Sequence, residues 1–220
     1  MIRRSGLAIG VTVIATTFFV TGCSFVFHKR SPKDVRRIGE LESEVSRLNR
    51  ELDQLASIKR DLDQRLKSEI EKGEVGLEVG DRGITITSLA EVYFDSGKAK
   101  IRPEGEGILK KISGAVKEFS GGRKVSVEGH TDNQPIKVSG WKSNQALSEA
   151  RAESVANFLM KEGISSALIS SAGYADTRPV ASNDAKEGRQ KNRRVEIIIL
   201  SKETKRPKQS YTWGSKDTVK

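Results

Sequence analysis

The chain has 220 residues, with 39 Lys+Arg against 29 Asp+Glu for a formal net charge of +10, 35% hydrophobic and 5% aromatic residues. That apolar fraction is too high for a wholly disordered chain, and only one long uncharged stretch exists, which excludes a polytopic membrane protein. One Cys forms no internal disulfide, and one Cys with two His supplies too few ligands for the usual closed zinc site.

Arg3 and Arg4 precede an uncharged run from Ser5 whose apolar segment covers residues 7–20, the n-region and h-region of an export signal. The segment closes on Val20-Thr21-Gly22-Cys23, which resembles the bacterial lipobox, where a signal peptidase cuts before a Cys that carries diacylglycerol. The resemblance implies a signal peptide over residues 1–22, lipidation at Cys23 and a linker over 23–31. An uncleaved transmembrane anchor stays open beside it, because the uncharged run continues through Ser24, Phe25, Val26 and Phe27. Both readings place the rest of the chain outside the cytoplasm. Ser24, where an Asp would favour inner-membrane retention, points to a lipid anchor in the outer membrane with the domain facing the periplasm.

Ser31 and Pro32 read as N-cap and first helical residue, with Asp34 in the first turn where the helix dipole favours an acid. Leu41, Leu48, Leu55 and Leu62 then share one heptad position, and Ile38, Val45, Leu52 and Leu66 share the other with Lys59. This pattern predicts a coiled-coil stalk helix over residues 32–72, with homo-oligomerisation through 33–70; an amphipathic helix packed back on the domain is the alternative. Glycines at 73, 76, 80 and 83 end the helix. Strand-like alternation follows through Ile84, Ile86 and Leu89, then a helix opened by Pro103 with Ile108, Leu109, Ile112, Val116 and Phe119 inward. A strand through Val125 and Val127, a helix over 144–159, a short strand over 169–174 and a last strand through Val195, Ile197 and Ile199 complete an α/β sandwich with helices on one face. From Lys202 the chain reads as a basic, flexible tail over residues 202–220, for which an anionic cell-wall or membrane surface is a better counterpart than nucleic acid.

Four ordered segments carry a more specific signal: Val92-Tyr93-Phe94-Asp95-Ser96-Gly97, Val127-Glu128-Gly129-His130-Thr131-Asp132-Asn133, Asn144-Gln145-Ala146-Leu147-Ser148-Glu149-Ala150-Arg151-Ala152, and Gly188-Arg189-Gln190-Lys191-Asn192-Arg193-Arg194-Val195-Glu196. Together they closely resemble the OmpA-like peptidoglycan-binding domain of Pal lipoproteins, OmpA and MotB, over roughly residues 80–201. The resemblance implies a mixed four-stranded sheet with helices on one face, preceded here by the long helix, and noncovalent binding to the peptide stem of uncrosslinked peptidoglycan.

The residues support that role on chemical grounds. The diaminopimelate of a stem peptide offers an ammonium and a carboxylate on one carbon, so its receptor needs an acid and a base a few ångströms apart. Asp132, just past a strand, can accept from the ammonium; Arg151, on the following helix, can grip the carboxylate with a planar two-pronged donor. By resemblance these two match the family's ligand-binding Asp and Arg, and Phe94 and Asp95 match another family segment lining the pocket; Thr131 lies beside Asp132, and Asn144 and Leu147 lie about two turns and one turn before Arg151 on the same helical side. A structural salt bridge between Asp132 and Arg151 is the alternative. Asn192, Arg193 and Arg194 are secondary candidates, which a sharp loop entering a strand could use only as braces.

The stretch over 133–143, with Gln134-Pro135-Ile136 and Trp141, is longer than in OmpA itself and is similar to the MotB subgroup; Trp141 could stack on a sugar or pack a loop. A MotB-like protein held in the inner membrane by an uncleaved helix is therefore the second functional reading, although proton-driven stators need an acid in the membrane segment and none occurs over residues 5–27. An enzyme would use His130 as base with Glu128, Asp132 or Asp95 as acids, but no nucleophile elbow, paired-His motif or phosphate loop accompanies them. The expectation is a binding protein without catalytic residues, metal, cofactor or nucleic-acid partner, tethering the outer membrane to the cell wall.

Overall fold

The computed structural model describes residues 31–119, 121–136 and 140–202. The expected signal segment, Cys23 and the linker up to residue 30 lie outside the described residues, as does the tail from 203 onward. Compact packing divides the chain into Met1–Glu42 and Ser43–Lys220.

Helix α1 (Pro32–Arg65) begins as its sequence dictates: the Ser31 hydroxyl oxygen accepts from the backbone N–H of Lys33 at 3.2 Å and of Asp34 at 3.4 Å. It does not run unbroken to residue 72. Leu66, fully buried, leaves helical geometry at φ −105°, and a second short helix, α2 (Lys67–Glu71), follows.

From Ser43 onward the heptad face divides in two. Val45, Leu48 and Leu52 are exposed, Leu52 at 58%, whereas Leu55, Ile58, Leu62 and Leu66 sit in the core of the domain. Polar contacts fasten the same stretch. The buried Arg123 guanidinium pairs with Glu51 and donates to Gln54 at 2.8 Å, Arg65 donates to Glu118 at 2.6 Å, and Lys111 donates to Glu69 at 2.6 Å. The latter half of the expected stalk is thus an amphipathic helix packed on its own domain, because burying four large apolar side chains there outweighs leaving them to solvent. Only the exposed stripe remains for a partner.

Among the described residues the sheet has five strands rather than four, in the order β1-β2-β5-β3-β4. Strand β1 (Val75–Gly80), which the glycine-rich sequence disguised, pairs antiparallel with β2 (Gly83–Leu89) and sets the start of the sheet ahead of residue 80. Strand β5 (Arg194–Leu200) is antiparallel to both β2 and β3 (Val125–Gly129), and β4 (Ile169–Gly173) is parallel to β3. The parallel pair requires a crossover, supplied by α5 (Asn144–Lys161). One sheet face, with Ile84, Ile86, Val125, Val127, Val195, Ile197 and Ile199, packs against α1, α4 (Pro103–Phe119) and α5. Alternation sends Thr87, Glu128 and Glu196, aligned across β2, β3 and β5, to the other face. Two short helices, α3 (Ala90–Tyr93) and α6 (Lys186–Asn192), follow β2 and precede β5.

Candidate functional site

Beyond the C-terminal end of β3 the chain continues through His130, Thr131 and Asp132. The backbone N–H of His130 donates to the Arg194 carbonyl at 2.9 Å and that of Thr131 to the Ala175 carbonyl at 2.8 Å, so this non-strand segment is held on both sides. Strand and helix approach closely here. A Cβ on Gly129 would lie 2.2 Å from the backbone oxygen of Ser148 in α5, so only glycine lets β3 and α5 meet at the level of the site. The N-terminus of α5 is capped by Ser143, whose hydroxyl accepts from the Ala146 N–H at 3.2 Å. Asn144 Nδ2 then donates to the carbonyls of Asp132 at 3.3 Å and Gln134 at 2.9 Å, tying the helix start to the loop.

These elements enclose a cavity of about 410 Å³, within the range of small-ligand pockets. Six of the seven residues expected around the ligand line it: Phe94, Thr131, Asp132, Asn144, Leu147 and Arg151. Asn144, Leu147 and Arg151 recur at helical spacing and so share the face of α5 that closes the pocket. Asp95 is the exception. Its exposed carboxylate accepts from Lys98 Nζ at 2.9 Å and lies 3.8 Å from Arg102, which together hold it below the usual carboxylate range, and it does not line the cavity.

The salt bridge weighed as the alternative is not formed. Asp132 does not bridge to Arg151; its Oδ2 accepts from Arg193 Nη1 at 2.7 Å and its Oδ1 from the Gln134 N–H at 3.2 Å. Arg151 is 5% exposed, its Nε donates to the Lys98 carbonyl at 2.9 Å, and its guanidinium carbon stands 5.3 Å from the centroid of the buried Phe94 ring. No carboxylate pairs with it among the described residues. Burial, with Arg193 nearby, pushes its pKa down to about 10, and Asp132 only partly offsets this. The guanidinium stays charged at neutral pH, in a desolvated place where an incoming anion meets little competition from water.

Of the secondary candidates, Arg193 alone lines the pocket. Asn192 is a brace, its side-chain oxygen accepting from Val180 and Ala181 N–H at 2.8 and 3.0 Å; Arg194 is another, donating from Nε to Glu196 at 2.7 Å. Arg193 follows the last residue of α6 and points opposite to Arg194, an alternation that short helix and strand together produce and that the linear sequence did not single out.

On the other sheet face Glu128, His130 and Glu196 place possible ligand atoms within 4.8 Å of one another, a set of metal-binding type. Arg82 and Arg178 pair with Glu128 and Arg194 pairs with Glu196, so guanidinium charge already occupies the place a cation would take. Burial raises the Glu128 carboxyl, but the Arg82 hydrogen bond and charge more than reverse it, leaving it below the usual range. His130 stacks on Tyr174 with ring centroids 5.6 Å apart, and among the described residues neither ring nitrogen has a hydrogen-bond partner. Burial, aided by Arg194, pushes its pKa down to about 4. The arrangement is a braced ion-pair network in which the imidazole is packed rather than presented.

A model of the OmpA family matches residues 93–193, the span from α3 to the Asp132 partner. The outer-membrane lipoprotein YfiB of Pseudomonas aeruginosa is 38% identical over 126 residues, covering 57% of this chain and 72% of that protein. The chain belongs to the OmpA family. Motility protein B of Bacillus subtilis is 36% identical over 149 residues, and the chain spans 57% of its length. Among solved structures, the cell wall anchor of the type VI secretion system from P. aeruginosa superposes with a TM-score of 0.60 at 34% identity, over 64% of this chain and 97% of that one. Its relatives thus include both lipoproteins and motility proteins, and the shared part is an OmpA-like peptidoglycan-binding domain.

Proposed function

We propose that this protein is an outer-membrane lipoprotein, anchored through Cys23, whose domain binds the diaminopimelate of peptidoglycan stem peptides noncovalently and so tethers membrane to cell wall. The observation that carries the reading is Arg151: a buried, charged guanidinium opening into a cavity with no carboxylate partner among the described residues, beside Asp132. A buried cation without a counterion is costly, and a ligand carboxylate supplies what is missing. Asp132 retains acceptor capacity for the ligand ammonium while Arg193 and Gln134 hold its orientation. The nearest described imidazole, His130, is stacked on Tyr174 and does not line the pocket.

Asp132→Ala and Arg151→Ala should each lose most retention on insoluble sacculi while circular dichroism shows an intact fold. Losing one charge-assisted contact in a desolvated site costs about 2 to 5 kcal/mol, roughly 30-fold or more in affinity. Folded variants that bind like the parent would remove the pocket assignment.

The anchor is tested separately by metabolic labelling with a fatty-acid precursor. Label that disappears in Cys23→Ser supports the lipoprotein; an unlabelled chain retained at full length in the inner membrane favours the second reading, a MotB-like protein with an uncleaved helix, to which the motility relative gives weight. No described helix is long and apolar enough to cross a membrane, and the run at 5–27 lies outside the described residues.

A further inference from the structure

Gly129 of β3 and Gly173 of β4 are register partners, so the parallel pair ends on two glycines side by side. Helix α5 seats Ser148 on that bare spot. A Cβ on Gly173 would collide with the Ser148 hydroxyl and the Glu149 N–H, as one on Gly129 would with the Ser148 carbonyl. Ser148 is fully buried and lies nearly a turn before Arg151 on α5. Its hydroxyl donates to the Gln145 carbonyl at 2.9 Å and accepts from the Ala175 N–H at 3.1 Å. Ala175 is held in an uncommon conformation: among the described residues it alone, glycines aside, has a positive φ, at +46°. Its carbonyl accepts from the Thr131 N–H at 2.8 Å, and the Thr131 hydroxyl donates to the Asp132 carbonyl at 2.9 Å. A continuous route therefore runs from Arg151 along α5 to Ser148, and through Ala175 and Thr131 to Asp132.

We propose that Ser148 is a positioning residue: by holding Ala175 in the left-handed conformation it sets the separation of Arg151 from Asp132, and with it the site's selection for an ammonium and a carboxylate on one carbon. The inference rests on the diaminopimelate reading of the pocket. The left-handed conformation costs an alanine about as much as one neutral hydrogen bond contributes net, so Ala175 stays there only while its partners hold it. Ser148 holds the N–H. Without the hydroxyl that N–H is buried and unpaired, the chain at Ala175 relaxes toward negative φ, and its carbonyl turns away from Thr131. Asp132 then shifts, while the Lys98 carbonyl keeps Arg151 in place. A ligand with both charges on one carbon loses most from such a shift, whereas a ligand with the ammonium alone can follow Asp132.

The test titrates the full-length protein in detergent, by calorimetry, with two stem tripeptides: one ending in diaminopimelate, the other in lysine, which has the side-chain ammonium but no carboxylate beside it. The parent should prefer the diaminopimelate tripeptide roughly 30-fold or more, the loss expected for the Arg151 contact. Ser148→Ala should cut that preference about three- to tenfold, weakening the diaminopimelate tripeptide and leaving the lysine one unchanged, with circular dichroism showing an intact fold. Adding Ala175→Gly to Ser148→Ala should recover most of the preference, because glycine holds a positive φ without help. Ser148→Cys, close in volume and with a weaker acceptor, gives the same reading with a smaller loss should Ser148→Ala fail to fold. A folded Ser148→Ala that keeps the parent's preference, or that weakens both tripeptides equally, makes Ser148 a packing residue only and refutes the inference while the pocket assignment stands. A preference that is lost and not recovered by Ala175→Gly overturns the route through Ala175. A parent that does not distinguish the two tripeptides fails the pocket reading and takes the inference with it.

Discussion

Leu62 decides between a free stalk and a docked helix. It is 0% exposed within the core formed by α1, α4, α5 and the sheet. Truncation to Ala loses the transfer free energy of the buried side chain and leaves a cavity whose neighbours, among them the fully buried Leu66 and Ile112, can close only in part. Such substitutions cost about 2 to 5 kcal/mol. For a domain of this size 1 kcal/mol lowers Tm by about 2 to 4 °C, so Leu62→Ala should melt roughly 6 to 12 °C below the parent for a loss near 3 kcal/mol. Leu48→Ala, at an exposed position on the same heptad series, should leave the melting of a monomer almost unchanged. Thermal unfolding followed by circular dichroism at two protein concentrations a hundredfold apart separates the cases. A docked Leu62 gives a loss independent of concentration, whereas a seam between two chains gives one that grows on dilution. An unchanged Tm for Leu62→Ala, or a loss that follows concentration, would overturn the docked helix.

Two further outcomes are expected. His130 has a folded pKa of about 4 against about 6.5 in the unfolded chain, so between those values the unfolded state binds the extra proton. Stability should fall as pH drops through that window, by up to about 3 kcal/mol from this group, and His130→Asn should flatten the profile of stability against pH there; an unaltered slope would show that the neighbouring Glu128, Glu196 and arginines set it instead. Gly129→Ala places a Cβ into the Ser148 carbonyl and must push α5 from β3. It should destabilise by about 1 to 3 kcal/mol and weaken sacculus binding even where folded, because it moves Arg151 relative to Asp132; binding equal to the parent would mean that the site tolerates the shift.

The order of strands and helices was legible because alternation at Ile84, Val125 and Ile197, helix-start signals at Ser31 and Pro103, and glycines after the helices are local signals. Strand β1 was not, since Val75-Gly76-Leu77-Glu78-Val79-Gly80 reads as glycine-rich linker until β2 pairs with it. The heptads misled for a related reason. Two-in-seven spacing reports only that one helix face is apolar, and Leu55, Leu62 and Leu66 satisfy it equally well against a domain as against a second helix. At the site, motif spacing placed Asp132 beyond β3 and Arg151 on α5, but which guanidinium reaches which carboxylate depends on where α6 turns into β5, and this made Arg193 rather than Arg151 the partner of Asp132.

That partnership raises the question of what Arg193 does for binding. Its side chain is 36% exposed at the pocket rim, against 5% for the whole of Arg151, so it can act in two ways: by holding Asp132 in the orientation that receives an ammonium, or by touching the ligand itself. The Gln134 N–H holds only the other oxygen, Oδ1, and losing the 2.7 Å bond to Oδ2 leaves the carboxylate free to turn about its Cβ–Cγ bond. A positioning role predicts that Arg193→Ala costs about three- to tenfold in affinity for the diaminopimelate tripeptide, a smaller loss than Arg151→Ala, since a partly exposed pair contributes about 1 kcal/mol. It also predicts strong coupling. In an Asp132→Ala background nothing remains to be positioned, and adding Arg193→Ala should have almost no further effect. Direct contact predicts the opposite, an equal loss in both backgrounds. Calorimetric titration of the parent, the two single variants and the double variant measures the difference, with Arg151→Ala as the reference for a group that grips the ligand. Additive losses would assign Arg193 to the ligand carboxylate and enlarge the binding pair to a triad.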